Sequence, residues 1–88
     1  MPERMVQVMN THGIHARPAA EIVKVAGRFR AHITIARDDL EVNAKSIMGV
    51  MMLAAECGAQ VRVRAEGDDA VAALEALEAL IVGGFGER

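Results

Sequence analysis

Apolar and polar residues alternate most cleanly at positions 60–66, where Val61, Val63 and Ala65 stand between Gln60, Arg62, Arg64 and Glu66. A period of two puts one face in a core and the other in water, which predicts a strand. Val6 and Val8 share a parity within residues 5–9 and predict another. Ile33 and Ile35 alternate with polar neighbours, Arg37-Asp38-Asp39 reads as a tight turn, and Leu40 and Val42 resume the alternation, so this stretch predicts a hairpin. Helical spacing governs elsewhere. Ala19, Ile22, Val23 and Ala26 form one stripe that stops at Gly27. Ala70, Leu74, Leu77 and Ile81 form another, introduced by Gly67-Asp68-Asp69 and closed by Gly83-Gly84. A short apolar helix opens at Ser46 and runs to about Ala55. The order strand, helix, strand, strand, short helix, strand, helix predicts an α+β two-layer fold, with helices on one face of an antiparallel or mixed sheet.

Composition narrows what such a fold can do. A chain of 88 residues with 52% hydrophobic content predicts one domain, 1–88, with a single modest core and no room for an enclosing cleft. Chemistry belongs on its surface, where a partner protein completes it. Ten basic residues against 12 acidic ones oppose nucleic-acid binding, as does the shortage of stacking aromatics, only Phe29 and Phe85. The lone Cys57 excludes an internal disulfide or paired-cysteine site and predicts a small buried apolar residue. Met1-Pro2-Glu3-Arg4-Met5 shows no signal-peptide pattern, and no apolar run approaches the roughly 20 residues of a bilayer span, so a cytoplasmic protein without membrane insertion is expected.

The most informative segment is Gly13-Ile14-His15-Ala16-Arg17-Pro18-Ala19-Ala20. Pro18 suits the first turn of a helix, where a missing backbone donor costs little. That places His15 at or near the N-cap, a position usually held by Ser, Thr, Asp or Asn. A helix start offers free N–H groups and the positive end of the macrodipole, a ready anion site. The same field favours a neutral, nucleophilic imidazole. Once phosphorylated, the ring would hold its phosphate against the N–H groups of Ala16 and Arg17, and the Arg17 guanidinium adds a charge-assisted contact. The plainer reading is a tolerated surface cap beside a solvated charge. His12 stands three residues before His15, but without a third ligand nearby no metal site is expected. His32, at a strand start, reads as structural.

Ser46 is a natural N-cap for the apolar segment that follows. Val50, Leu53, Ala54 and Cys57 share the helical face predicted to enter the core. Ile47, Met48 and Met51 lie on another face, and a small domain cannot bury both. An exposed Met-rich patch suits adaptable protein contacts, and a phosphate on Ser46 would set negative charge beside it.

These two segments resemble the HPr family, the histidine-containing phosphocarriers of the phosphoenolpyruvate-dependent sugar phosphotransferase system. Gly13 to Ala19 resembles the family's active-site motif, and Lys45-Ser46-Ile47-Met48-Gly49-Val50-Met51 its regulatory-serine segment. The resemblance covers essentially the whole chain. It implies an open-faced β-sandwich of order βαββαβα, a four-stranded antiparallel sheet covered on one face by three helices. It implies that His15 accepts phosphate from phosphorylated enzyme I and donates it to enzyme IIA domains, with Arg17 assisting and no cofactor. Ser46 would be the target of an HPr kinase/phosphorylase, with a transcriptional regulator as a further partner. Ala20, Lys24, Lys45, Ile47, Met48 and Met51 match docking positions, and a monomer is expected. Such a relay is not itself an enzyme. A nitrogen-regulatory or purely regulatory paralogue, acting by binding, is the alternative. His12 departs from the family pattern, which commonly has Ser or Asn there, and could donate a hydrogen bond to phosphorylated His15 or compete for the phosphate.

Overall fold

The computed structural model describes residues 2–86. The elements follow the predicted order: β1 (Glu3–Gln7), α1 (Ala16–Ala26), β2 (His32–Arg37), β3 (Leu40–Asn43), α2 (Ile47–Met52), β4 (Gln60–Glu66) and α3 (Ala70–Val82), then a 3-10 turn at Gly84–Gly86. The strands form one antiparallel sheet in the order β1-β4-β2-β3. Helices α1 and α3 pack together, α3 lies on the sheet, and α2 rests against α1 and β3. This is the open-faced sandwich, four strands with three helices on one side.

The periodicities explain the core. Val61, Val63 and Ala65 of β4 are buried, while Gln60 and Glu66 are exposed. They meet Ile33 and Ile35 of β2 and the α3 stripe of Ala70, Leu74, Leu77 and Ile81, joined by Ala73. Fully burying an Ile or Leu side chain stabilises the fold by roughly 1.5–3 kcal/mol. In α1, Pro18, Ala19, Ile22, Val25 and Ala26 are buried, whereas Val23 is only half-buried. The buried face is therefore turned toward Pro18 and Val25, relative to the stripe predicted through Val23.

β1 begins and ends two residues earlier than the segment 5–9 predicted from Val6 and Val8. Regular pairing runs from Glu3 opposite Arg64 to Gln7 opposite Gln60. Val8 then leaves the ladder while keeping two bonds, N–H to Ala59 O and O from Gly58 N–H, both 2.8 Å. In the hairpin, Arg37 pairs with Leu40, so Asp38 and Asp39 alone form the loop.

One expectation fails at the end of α2. Ala54 and Cys57 are exposed, not buried with Val50 and Leu53. The helix stops at Met52, and Ala54 takes φ +49°, so the chain turns out of the helix before the predicted face can continue. Ala55 and Ala59 enter the core instead.

On the open face Arg64 sits in register with Glu3 and Thr34, and its guanidinium lies 3.5 Å from Glu3 and 3.4 Å from Glu41. Polar side chains thus occupy the face that no helix covers. Among the described residues no helix is long and apolar enough to cross a membrane.

Candidate functional site

His15 is the N-cap of α1, with extended backbone (φ −96°, ψ −164°) and no side-chain hydrogen bond back to the helix. Its ring is exposed. Its carbonyl accepts the Ala19 N–H at 2.9 Å, and its own N–H donates to Gly13 O at 3.1 Å. Of the donors that a helix start leaves without an intrahelical acceptor, that one is used and Pro18 has none to offer. The N–H groups of Ala16 and Arg17 are left at the positive end of an 11-residue helix. His15, the Ala16 and Arg17 N–H groups and the Arg17 residue therefore belong to one helix start.

The loop before His15 is held from two sides. Asn10, about 1% exposed, donates from Nδ2 to Gly13 O at 2.7 Å, and Gly13 N–H returns to Asn10 O at 3.1 Å. Ile14 is buried and donates its N–H to Ala55 O at 2.8 Å. Gly13 has φ +67°, and a Cβ there would stand 2.3 Å from Ala55 O, so only glycine lets the loop lie this close. The segment beneath is itself fastened by Arg37. Its guanidinium donates to Ala54 O at 2.7 Å and to the Glu56 carboxylate at 2.6 Å. The Arg37 bond holds the Glu56 carboxyl below its ordinary range. Asn10 and Arg37 were not predicted. Asn10 and Gly13 carry a turn signal that could have exposed the first. Arg37 meets acceptors 17 and 19 residues away, which no local pattern reveals.

His12 is brought to the site. Its ring stands nearly perpendicular to that of His15, at 86°, with centroids 6.1 Å apart. Ala16, Ala20 and Lys24 follow along α1 as an exposed ridge at helical spacing. His32 is elsewhere. It faces the open side of the sheet, lining a shallow hollow of about 130 Å³ with Thr34, Glu41, Arg64 and Glu66. Among the described residues no three His, Cys, Asp or Glu side chains are placed to hold a metal ion.

Ser46 caps α2 as predicted, its Oγ accepting the Gly49 N–H at 3.2 Å. Beside it Ile47, Met48 and Met51 are exposed, joined by Met52, which the sequence reading left out; Met48 is 70% exposed. The patch rides on the helix that packs against α1. Lys45 stands apart from this surface: half-buried, it donates from Nζ to Phe29 O at 2.8 Å, so an acidic partner would have to compete with that carbonyl.

An α+β sandwich with an exposed histidine at the start of its first helix is a build that suits a phosphoryl-carrier domain. Comparison with known proteins agrees. The family described as the PTS HPr component phosphorylation site matches residues 2–82. The phosphocarrier protein HPr of Treponema pallidum is 52% identical over 88 residues, covering 100% of both chains. The crystal structure of HPr-C-His from Thermoanaerobacter tengcongensis superposes with a TM-score of 0.95 at 45% identity, covering 100% of this chain and 99% of that one. The chain belongs to the HPr family of phosphocarriers, and a phosphoryl-carrier role in the phosphotransferase system goes with that membership. A crystal structure of an HPr dimer from Thermoanaerobacter tengcongensis is also similar, with a TM-score of 0.79 at 46% identity over 99% of this chain and 100% of that one. The monomer expected from the sequence therefore does not follow from the family.

Proposed function

We propose that the phosphoryl group travels on His15, received from phosphorylated enzyme I and passed to enzyme IIA domains. The observation that carries this reading is that His15 caps α1 in backbone only, which leaves its imidazole outside the helix and the Ala16 and Arg17 N–H groups beside it. A ring nitrogen lone pair forms the new bond to phosphorus as the donor's bond breaks. The two N–H groups and the Arg17 guanidinium receive the anionic oxygens. Onward transfer reverses the step, with an enzyme IIA nucleophile replacing His15. Among the described residues none encloses His15, which is exposed, so partners complete the geometry and the chain acts as a relay within one domain, 1–88.

Ala20 and Lys24 on α1, with Ile47, Met48 and Met51 on α2, form the docking surface, and Lys45 joins it only by giving up its bond to Phe29 O. Exposed methionines fit such use because they adapt to different partner shapes. A phosphate on Ser46, placed by an HPr kinase/phosphorylase, adds roughly −1.5 to −2 of charge next to that surface while remaining tolerable to the α2 start. It would slow uptake from enzyme I and offer a contact to a regulator. A paralogue acting by binding alone would use the Ser46 surface and leave the Asn10–Gly13 clamp on the His15 loop without a task. Labelling with phosphoenolpyruvate and enzyme I is the test. Wild type should take up an acid-labile phosphate and His15→Ala should not. Undiminished labelling of His15→Ala would move the site elsewhere.

A further inference from the structure

We propose that Phe85, in the turn that follows α3, is a positioning residue for phosphoryl transfer: it anchors that turn beside Asn10, and Asn10 fixes the loop that presents His15. This rests on the reading of His15 as the phosphoryl acceptor. Phe85 has φ 59° and ψ 22°, a left-handed backbone that a bulky residue rarely adopts. Such a conformation persists only where its surroundings over-determine it. Here burial does so. Phe85 is 7% exposed and belongs to the same core cluster as Val8, Leu77 and Ile81.

The turn is tied at its start and comes close to the loop. Gly83 N–H donates to Ala79 O at 3.0 Å, which fastens the turn to α3. Gly84 is buried, with φ +67°, and faces Asn10: a Cβ on it would stand 3.7 Å from Asn10 Cβ and 3.9 Å from Asn10 Cα and N. Asn10 is itself about 1% exposed, the one polar side chain buried to that degree among the described residues. The turn is thus part of what keeps water from Asn10.

From Asn10 the constraint passes to His15 through one carbonyl. Gly13 O accepts from Asn10 Nδ2 at 2.7 Å and from His15 N–H at 3.1 Å. A hydrogen bond shielded from water is stronger than an exposed one, because solvent does not compete for donor or acceptor. With the turn displaced, water reaches the Asn10 amide and exchanges with its bond to Gly13 O. The loop then holds His15 less firmly, and a displacement of about 1 Å is enough to slow a reaction that depends on alignment. Phe85 acts through Asn10 alone and takes no part in the bond changes at phosphorus. The docking surface on α1 and α2 is a separate part of the molecule, so partner recognition and transfer should respond differently to a change at Phe85.

Single-turnover uptake of phosphate from phosphorylated enzyme I by the full-length chain tests this. Phe85→Ala should lower the saturating rate about tenfold and leave the half-saturating concentration of enzyme I unchanged. Phe85→Leu, the milder loss should Phe85→Ala not fold, should show the same split at about threefold. Asn10→Ala should share the defect, and the double variant should be no slower than Asn10→Ala alone, since both changes act on one bond. A wild-type saturating rate in a folded Phe85 variant would overturn the inference, and so would a double variant whose two defects multiply. An equal loss of rate in Ile81→Val, which lowers stability within α3 while leaving the turn in place, would overturn it by making stability the cause. Undiminished labelling of His15→Ala would instead overturn the assignment of His15 on which the inference rests.

Discussion

Helices α1 and α2 each begin on a residue with extended backbone, His15 (φ −96°, ψ −164°) and Ser46 (φ −114°, ψ 116°), yet only Ser46 turns its side chain back onto its own helix. The serine hydroxyl accepts from Gly49 N–H and so satisfies one of the donors that every helix start leaves open. The imidazole of His15 makes no such bond, and Pro18 removes a donor that would otherwise ask for one. A single side chain can close a helix start or keep that start available to an anion, but not both at once. The same local geometry thus yields a structural cap in one place and a candidate phosphate site in the other.

Exchanging the two solutions breaks the comparison most severely. His15→Ser gives α1 the cap that α2 has. It should abolish phosphate uptake while stabilising the fold by about 0.5–1 kcal/mol, because serine is among the better N-caps. Urea unfolding beside the labelling assay reads both effects. A variant that loses uptake without gaining stability would show that His15 already satisfies its helix by other means, and the contrast with Ser46 would fall.

The loop that presents His15 is the next point of attack. Gly13→Ala places a Cβ within 2.3 Å of Ala55 O at a backbone φ of +67°. Overpacking of this kind costs roughly 1–3 kcal/mol. A shift of about 1 Å in the loop should slow transfer by on the order of 100-fold. Unfolding and single-turnover transfer measured on the same variant would show it. Normal transfer from a destabilised variant would mean that the loop serves the fold alone.

The two helix starts also differ in how far they could be read in advance. Pro18 and Ser46 are local signals, and both place their helix starts where the structure has them. The sheet was equally legible, because alternation in β4 and the hairpin is written in adjacent residues. Cys57 and Ala54 were misplaced because extending the α2 face assumed a helix that stops at Met52. Past that stop Ala54 takes φ +49°, and Arg37 meets the carbonyls of Leu53 and Ala54 from the end of β2. Asn10 and Arg37 act through partners that only the fold brings near, so the residues that hold His15 in place stayed hidden while His15 itself did not.

A milder change sharpens the contrast from the other side. Ser46→Ala removes the bond to Gly49 and should cost about 1 kcal/mol, while wild-type phosphate uptake on His15 is retained. Ser46→Asp keeps an acceptor at the cap and adds charge beside Met48. It should hold most of the stability and slow uptake from enzyme I. If Ser46→Ala impaired uptake as strongly as it lowered stability, the two helix starts would not be separable in function.

The start of α3 offers a third use of the same position and the smallest effect. Asp69, its N-cap, makes no cap bond and instead accepts N–H groups from Arg30 and Ala31, both at 2.8 Å, pinning the segment before β2. Those bonds, the one from Arg30 foremost, hold its carboxyl below the ordinary range. A carboxyl lowered in the folded chain binds its proton more readily when unfolded. Its contribution is therefore complete above the unfolded value of about 3.9 and is lost as pH falls through the folded one. Asp69→Asn should flatten the loss of stability below about pH 4 without removing it, because Glu56 is lowered in the same direction by Arg37. Thermal unfolding of both chains between pH 7 and 2.5 checks this. Parallel acid limbs would mean that Asp69 ties the loop without coupling it to protonation.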